Sequence, residues 1–171
     1  MTNTILLISE QTIKGYSLVN GNVDTQYILP AIQYAQDQGL QPLIGTRLYR
    51  TLCALVENEQ IEENLPYKEL LDDYITPFLI NKVMADIQVP VSFKIRNQGI
   101  IQNTGDNTYV PQIKDIQYVQ QYYNNKADFY ANRLTDFLCA NVNTYKEYVR
   151  VRNGADMPAK PGAYNTGIYL G

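Results

Sequence analysis

Residues 115–140 read DIQYVQQYYNNKADFYANRLTDFLCA, and the fold class follows from the spacing of their apolar side chains. These side chains recur in steps of three or four residues, which is the spacing of one helix face. The members of this stripe are Ile116, Val119, Tyr123, Ala127, Tyr130, Leu134 and Phe137. Tyr118, Tyr122 and Phe129 lie off the stripe. The pattern predicts one helix of roughly 40 Å with a single core-facing side.

Shorter helices are predicted upstream of this stretch. Pro30 to Gln38 forms the first, and Gly39 is its expected stop. Gly45-Thr46 opens a second, amphipathic helix that carries Leu48, Leu52 and Leu55 on one face. A third starts near Pro66, and Pro77 is expected to bend or restart it, because proline removes a backbone donor.

The remaining segments predict a hairpin and two arms. Phe93–Ile95 and Ile100–Gln102 flank a turn with glycine, which is typical of a β-hairpin near 93–102. Thr144 and Glu147 form a capping-box pattern that predicts a last short helix ending near Arg150. Ile5–Ile8 is expected to be a short buried strand or extended segment. The predicted architecture is mainly α: a small helical bundle with one long helix, a β-hairpin and extended N- and C-terminal arms. Its domain covers residues 1–152, and residues 153–171 form an extended docking arm.

Composition favours one folded domain and disfavours tight nucleic-acid binding. The chain has 171 residues, 45% of them hydrophobic and 18% charged, and 14 Lys+Arg against 17 Asp+Glu give a net charge of −3. A protein that grips nucleic acid through its phosphates needs a concentrated positive surface. The run Ile5–Ile8 is far too short for a signal peptide or a membrane span. We therefore expect synthesis in the cytoplasm and no membrane partner.

Residues for the usual enzyme chemistries are missing. The chain has no histidine and only two, widely separated cysteines, Cys53 and Cys139. This removes the commonest general base and most zinc sites. No phosphate-binding glycine motif occurs. The carboxylates on predicted helices, such as Asp72-Asp73 and Asp128, are interpreted as solvated faces. We expect no catalytic residue, no cofactor and no metal.

The order of several short stretches resembles a family of phage proteins. Asn22-Val23-Asp24, Ile28–Asp37 and Pro42–Tyr49 are followed by Tyr74–Pro77, Val89–Val91, the Tyr-rich helix and Thr144–Tyr148. This order resembles the head-to-tail connector proteins of tailed bacteriophages, also called adaptor, head-completion or neck ring proteins, notably those of crAss-like phages. No single motif is diagnostic, and the resemblance rests on their order along nearly the whole chain.

The resemblance implies a structural subunit rather than an enzyme. It implies a homo-oligomeric ring of ~12 copies in the virion neck. The ring would contact the portal protein and the next ring or tail protein, and double-stranded DNA would pass through without sequence-specific binding. The residues expected at subunit or portal interfaces are apolar side chains of the hairpin and the arm: Phe93, Ile95, Ile100, Ile101, Tyr164, Ile168, Tyr169 and Leu170.

Two readings from other classes stay open on the sequence. A phage nucleic-acid-binding packaging or regulatory protein would need a basic face assembled in three dimensions. A carboxylate hydrolase with a divalent metal would need several Asp or Glu side chains within ligand distance of one point. The hairpin and the arm are also compatible with an ordinary loop and a frayed end.

Overall fold

The described structure consists mainly of helices. The computed structural model describes residues 5–16, 23–96, 99–102, 112–148 and 156–159. Its α-helices are α1 (Glu10–Tyr16), α2 (Thr25–Tyr34), α3 (Gln41–Glu57), α4 (Leu65–Glu69), α5 (Thr76–Asp86), α6 (Gln88–Ser92) and α7 (Ile113–Ala140). Two π-helical segments, π1 (Ala35–Leu40) and π2 (Leu70–Ile75), join α2 to α3 and α4 to α5, and Ile61–Glu63 is a 3₁₀ turn. The mainly α fold class is confirmed.

Strands have a minor part in the described chain. Phe93–Arg96 (β1) and Gly99–Gln102 (β2) pair antiparallel, with Phe93 opposite Gln102 and Arg96 opposite Gly99. Residues 97–98 of the connection lie outside the described residues. An isolated pair of four-residue strands is at best marginally stable in water. The fold is therefore defined by helix packing.

Helix α7 follows the sequence prediction closely. It begins at Ile113, and the side chains of Gln112 and Asp115 form a reciprocal capping box at its start. The predicted stripe faces inward: Ile116, Tyr123, Ala127 and Leu134 are buried, and Val119, Tyr130 and Phe137 are partly buried. Helix α5 makes the most extensive contact with α7 among the described elements. These two helices form the centre of the core.

The first predicted helix is longer than expected, and Gly39 does not end it. Helix α2 begins at Thr25 and runs through π1 into α3, so the stop predicted at Gly39 is wrong. A Cβ on Gly39 would lie 3.2 Å from Cζ of Phe78. Because glycine has no side chain, π1 can pack closely against α5 at this position. The helical geometry breaks instead at Gly45, where φ is 81°.

Ile5–Ile8 does not form the strand that was one of its two predicted forms, and a side chain binds its backbone where a neighbouring strand would. Leu7 and Ile8 are buried as expected. The fully buried Gln36 accepts a hydrogen bond at Oε1 from the Leu7 amide (2.7 Å), and its Nε2 donates to the Ile5 carbonyl (3.0 Å). Its Nε2 also donates to the Tyr49 hydroxyl (3.1 Å). One glutamine side chain thus provides hydrogen-bond partners for two backbone groups of the N-terminal segment.

No helix forms at the Thr144–Glu147 capping-box pattern. Residues 141–148 form turns. The Glu147 carboxylate accepts from the Tyr67 hydroxyl at 2.8 Å, so it is engaged away from the backbone that it was expected to cap. Tyr145 is buried, and its hydroxyl donates to the Pro66 carbonyl at 2.8 Å. Tertiary contacts of two side chains override the local capping signal.

Candidate functional site

An exposed aromatic ridge runs along α7 on the side away from the core. Tyr118 is 75% exposed, Phe129 64% and Tyr122 48%. Their separations of four and seven residues put them within about 40° of each other around the helix axis. We call these three residues the α7 ridge. Exposed large aromatics on one line are typical of protein interfaces, where tyrosine adds contact area with a hydrogen-bonding tip.

A lysine accompanies the ridge. The Lys126 ammonium lies 4.5 Å from the centre of the Tyr122 ring, within the range of a cation–π interaction. The side-chain contact with the Tyr122 hydroxyl raises the pKa of Lys126 above its ordinary value. This amine is therefore fully charged at neutral pH. The ridge presents aromatic faces beside one positive charge.

An open groove lies next to the ridge, between α7, α5 with π2, and the N-terminal segment with α1. Its volume is about 1290 Å³, and a smaller adjoining depression of about 440 Å³ reaches Phe129. Tyr122 and Lys126 line both spaces, so ridge and groove share a border. Apolar residues from the N-terminal segment, π2, α5 and α7 contribute to the groove lining, among them Leu7, Ile8, Leu71, Ile80, Met84 and Tyr123.

The groove has an acidic wall. Asp72 and Asp73 line it, and both are exposed. The ion pairs found among the described residues join Lys14 to Glu10, Lys68 to Glu62 and Lys82 to Asp86. None of these pairs involves Asp72, Asp73 or Lys126. Within the described part of the chain, the charges that border the groove thus lack an oppositely charged partner at ion-pair distance.

The acidic wall is positioned by a defect in the helix hydrogen bonding. Pro77 has no amide hydrogen, so the Asp73 carbonyl cannot receive the usual bond from the residue four positions on. Arg133 of α7 donates to this carbonyl from Nη1 at 3.1 Å. Its guanidinium lies 4.5 Å from the Tyr74 ring centre, and that ring stacks on Phe137 with centroids 3.9 Å apart. Arg133 therefore ties π2 to α7.

The partly buried Tyr67 and the buried Tyr145 extend this aromatic cluster. Tyr67 and Tyr145 meet edge to face with centroids 5.5 Å apart. Burial, followed by the hydrogen bond to the Glu147 carboxylate, raises the pKa of Tyr67 to about 12. Burial, followed by the negative charge of Glu69, raises the pKa of Tyr145 to about 12. Both phenols are held neutral well above the pH at which a solvated tyrosine ionises.

Stability is therefore expected to fall at alkaline pH. In the unfolded chain these phenols ionise near pH 10, but in the fold they ionise near pH 12, so their contribution is complete below about pH 10. It is lost as the pH rises from about 10 to 12. We expect a flat thermal midpoint up to about pH 8, a small decline as the Cys53 thiol of the unfolded chain ionises near pH 9, and a steeper fall above pH 10. Thermal unfolding at each pH measures it, and the Tyr67→Phe, Tyr145→Phe double variant should show a shallower fall. An equal fall in that variant would contradict the assignment.

The C-terminal segment contacts the helical domain at Gly45. The Thr46 amide donates to the Met157 carbonyl at 2.9 Å, and the Met157 amide donates to Oγ1 of Thr46 at 2.9 Å. Ala159 is buried, and a Cβ on Gly45 would lie 2.9 Å from its amide nitrogen. We call residues 156–159 the clip. Within the predicted arm of 153–171, the four described residues of the clip thus bind the chain's own helical domain.

Most of the predicted interface residues lie outside the described side chains. Phe93 is partly buried. For Ile95, Ile100 and Ile101 only the backbone of β1 and β2 is described. Tyr164, Ile168, Tyr169 and Leu170 lie outside the described residues. The sequence analysis identified the three ridge residues only as lying off the core stripe. Their own helical spacing was the signal that could have identified them as a second, exposed face.

The described residues include no cluster of metal ligands, and their two cysteines are partly buried. Among them, no group of three or more His, Cys, Asp or Glu side chains is arranged to hold a metal ion. Cys53 and Cys139 are partly buried, and burial raises the pKa of the Cys53 thiol, which makes it a weaker nucleophile at neutral pH. None of the helices in the described ranges combines the length and apolarity needed to cross a membrane.

Comparison with known proteins places the chain in a family. Residues 40–156, roughly two-thirds of the chain, match DUF6712, a family of unknown function. The chain belongs to the DUF6712 family. The DUF6712 match begins five residues before Gly45 and ends at Asp156, next to Met157. Both ends of the matched region therefore lie close to the contact between Thr46 and the clip. No curated protein and no solved structure matches the chain.

Proposed function

We propose that this DUF6712 protein is a non-enzymatic structural subunit of a tailed-bacteriophage particle. It forms a ring of ~12 copies in the neck, joins the portal to the tail and lines the path of the genome. The ordered resemblance to head-to-tail connector proteins supports the proposal. The observation that carries it is the α7 ridge, because three exposed aromatics on one rigid helix suit a lasting protein interface better than a solvated surface.

The charge of the chain suits a channel wall. A ring around the genome must let the duplex slide, so its inner surface should not bind phosphates tightly. The last residue of α3 and the connector to α4 expose four carboxylates: Glu57, Glu59, Glu62 and Glu63. A net charge of −3 is compatible with weak, sequence-independent contact with DNA. Sequence-specific binding has no support in these features.

The hairpin and the C-terminal residues are assigned to contacts within the particle. In this proposal Phe93, Ile95, Ile100 and Ile101 contact a neighbouring subunit through the hairpin. Tyr164, Ile168, Tyr169 and Leu170 bind the portal or an adjacent subunit. The virion neck is the final location, and the bacterial cytoplasm is the site of synthesis.

Quantification in purified virions tests the proposal. Particles of the phage whose genome encodes the chain would be analysed by mass spectrometry with isotopically labelled peptides of this chain and of the portal protein. We expect the two proteins in nearly equal copy number, as required by a ring that follows portal symmetry. A copy number close to that of the capsid shell protein, or absence of the chain from the particle, would refute the neck assignment.

Truncation separates the clip from the residues beyond it. Removing 160–171 leaves the clip and its two hydrogen bonds to Thr46 in place. We expect a change in unfolding free energy within about 0.5 kcal/mol, as for surface changes, but a loss of most incorporation into particles. Removing 153–171 also removes the clip and should destabilise the domain. Urea denaturation and particle counting measure the two effects, and normal incorporation of the shorter truncation would contradict the docking role.

A further inference from the structure

We propose that Thr46 is a positioning residue: by binding the clip, it fixes the point at which residues 160–171 leave the helical domain. The inference rests on the proposed binding of these residues to the portal or an adjacent subunit, and it names the side chain that directs them there. Its basis is the contact of Gly45 and Thr46 with the clip.

Gly45 and Thr46 form a slot for a peptide backbone. The Thr46 amide donates to the Met157 carbonyl, and Oγ1 of Thr46 accepts from the Met157 amide, both at 2.9 Å. One residue therefore binds both backbone polar groups of another. Because Gly45 has no Cβ, the clip can approach it closely at the buried Ala159, whose amide nitrogen would lie 2.9 Å from such an atom. The slot thus binds the clip at two positions, 157 and 159.

A second hydrogen bond holds the Thr46 side chain in place. Nε2 of Gln41, in the first turn of α3, donates to Thr46 Oγ1 at 3.0 Å. Thr46 is 2% exposed, so its Oγ1 is shielded from water and receives two protein donors. In the clip, the ring of Pro158 fixes φ at about −65° and limits the movement of Met157 relative to Ala159. Slot and clip are therefore both preorganised for one geometry.

Binding of the clip shortens the reach of the end of the chain. From Ala159, the 12 residues 160–171 span at most roughly 40 Å. Without the clip, the last buried residue that the structure describes is Tyr148, and the 23 residues 149–171 span at most roughly 80 Å. For a flexible tether, this lengthening lowers the local concentration of its end about 2.7-fold. Thr46 thus sets how far, and from which point, the end can reach a partner.

Removal of the Thr46 hydroxyl should release the clip while the side chain keeps its shape. Thr46→Val deletes the acceptor of the Met157 amide, and we expect this amide to exchange its hydrogen with solvent roughly tenfold faster or more. Thr46→Ser keeps the hydroxyl and should retain most of the protection. Thr135→Val is the matched control, because it removes a buried hydroxyl of α7 that donates instead to the Ala131 carbonyl. Hydrogen exchange of the purified full chain measures all three variants.

Competition between chains during assembly tests the consequence for the particle. Phage particles are assembled in cells that supply equal amounts of wild type and one variant, and mass spectrometry gives the incorporated ratio. We expect Thr46→Val to be under-represented by about 2.7-fold or more, and Thr46→Ser and Thr135→Val to match the wild type. In chains that end at Ala159 the effect should vanish, since Thr46 acts through residues 160–171.

These measurements separate positioning from a general contribution to folding. A Thr46→Val chain whose Met157 amide stays protected overturns the proposal, as does one that enters particles as often as the wild type. An equal deficit in chains that end at Ala159 also overturns it, because a merely destabilised domain would be lost in both backgrounds. Absence of the wild-type chain from particles refutes the neck assignment instead, so the two ideas fail by different results.

Discussion

Replacing Gly45 with alanine is expected to destabilise the protein by about 2–4 kcal/mol and to release the clip. The backbone there has φ 81° and ψ 153°, a region that is essentially restricted to glycine and costs other residues about 1–3 kcal/mol. The new Cβ would also lie 2.9 Å from the Ala159 amide nitrogen, which is a backbone atom and cannot swing away. At the size of this chain the thermal midpoint should fall by roughly 4–16 °C.

Two measurements follow the Gly45 variant. Thermal unfolding reports the loss of stability, and limited trypsin digestion should cut faster after Arg152, which precedes the clip in sequence. Gly15→Ala is the matched control, because a Cβ at Gly15 meets no atom within 4 Å. That control should leave the midpoint unchanged or slightly raised. Equal midpoints for the Gly45 variant and the wild type would show that the clip contributes nothing to the domain.

Replacing Gln36 with alanine is expected to cost about 3–5 kcal/mol, because it orphans backbone groups that are otherwise shielded from water. The Leu7 amide and the Ile5 carbonyl both lose their partner, and the Tyr49 hydroxyl loses one of its own. An unsatisfied buried polar group costs about 1–3 kcal/mol, and the emptied volume adds to this. Leu7 and Ile8 also line the groove, so the same change should loosen this side of the groove.

Urea denaturation combined with hydrogen exchange measures the Gln36 effect. The denaturation midpoint should fall, and the Leu7 amide should exchange much faster than in the wild type. Gln33→Ala serves as a control, since Gln33 is exposed on the same helix and its replacement should change stability by less than about 0.5 kcal/mol. If both variants unfold at the same urea concentration, the N-terminal segment is held by its apolar residues and not by Gln36.

Helical periodicity predicted the parts of the fold that depend on one face of one element. The stripe of α7 needed only the spacing of its apolar residues, and the same spacing separated Tyr118, Tyr122 and Phe129 from the core. Predictions that rested on single residues expected to start or end a helix were less successful. Gly39 is needed for contact with Phe78, and Glu147 binds Tyr67, 80 residues away. Local signals cannot report such partners, because the partners are set by the tertiary fold.

The candidate interface was largely beyond reach of the sequence. Asp72 and Asp73 were interpreted as a solvated helix face, and they are indeed exposed. Their place beside Lys126 depends on π2, on Pro77 and on the bond from Arg133 to the Asp73 carbonyl. The clip likewise joins Thr46 to Met157, 111 positions apart. The sequence marked Gly45-Thr46 only as the start of a helix and did not indicate its contact with Met157.

A reconstruction of the intact virion by electron cryomicroscopy, resolved well enough to trace side chains at the portal vertex, tests the neck assignment most directly. We predict a ring of this chain directly against the portal, coaxial with the genome channel, in which α7 of each copy lies at the border with its neighbour. Density for the chain only in the capsid shell or distal tail, or a neck fully accounted for by other proteins, would contradict the proposed function.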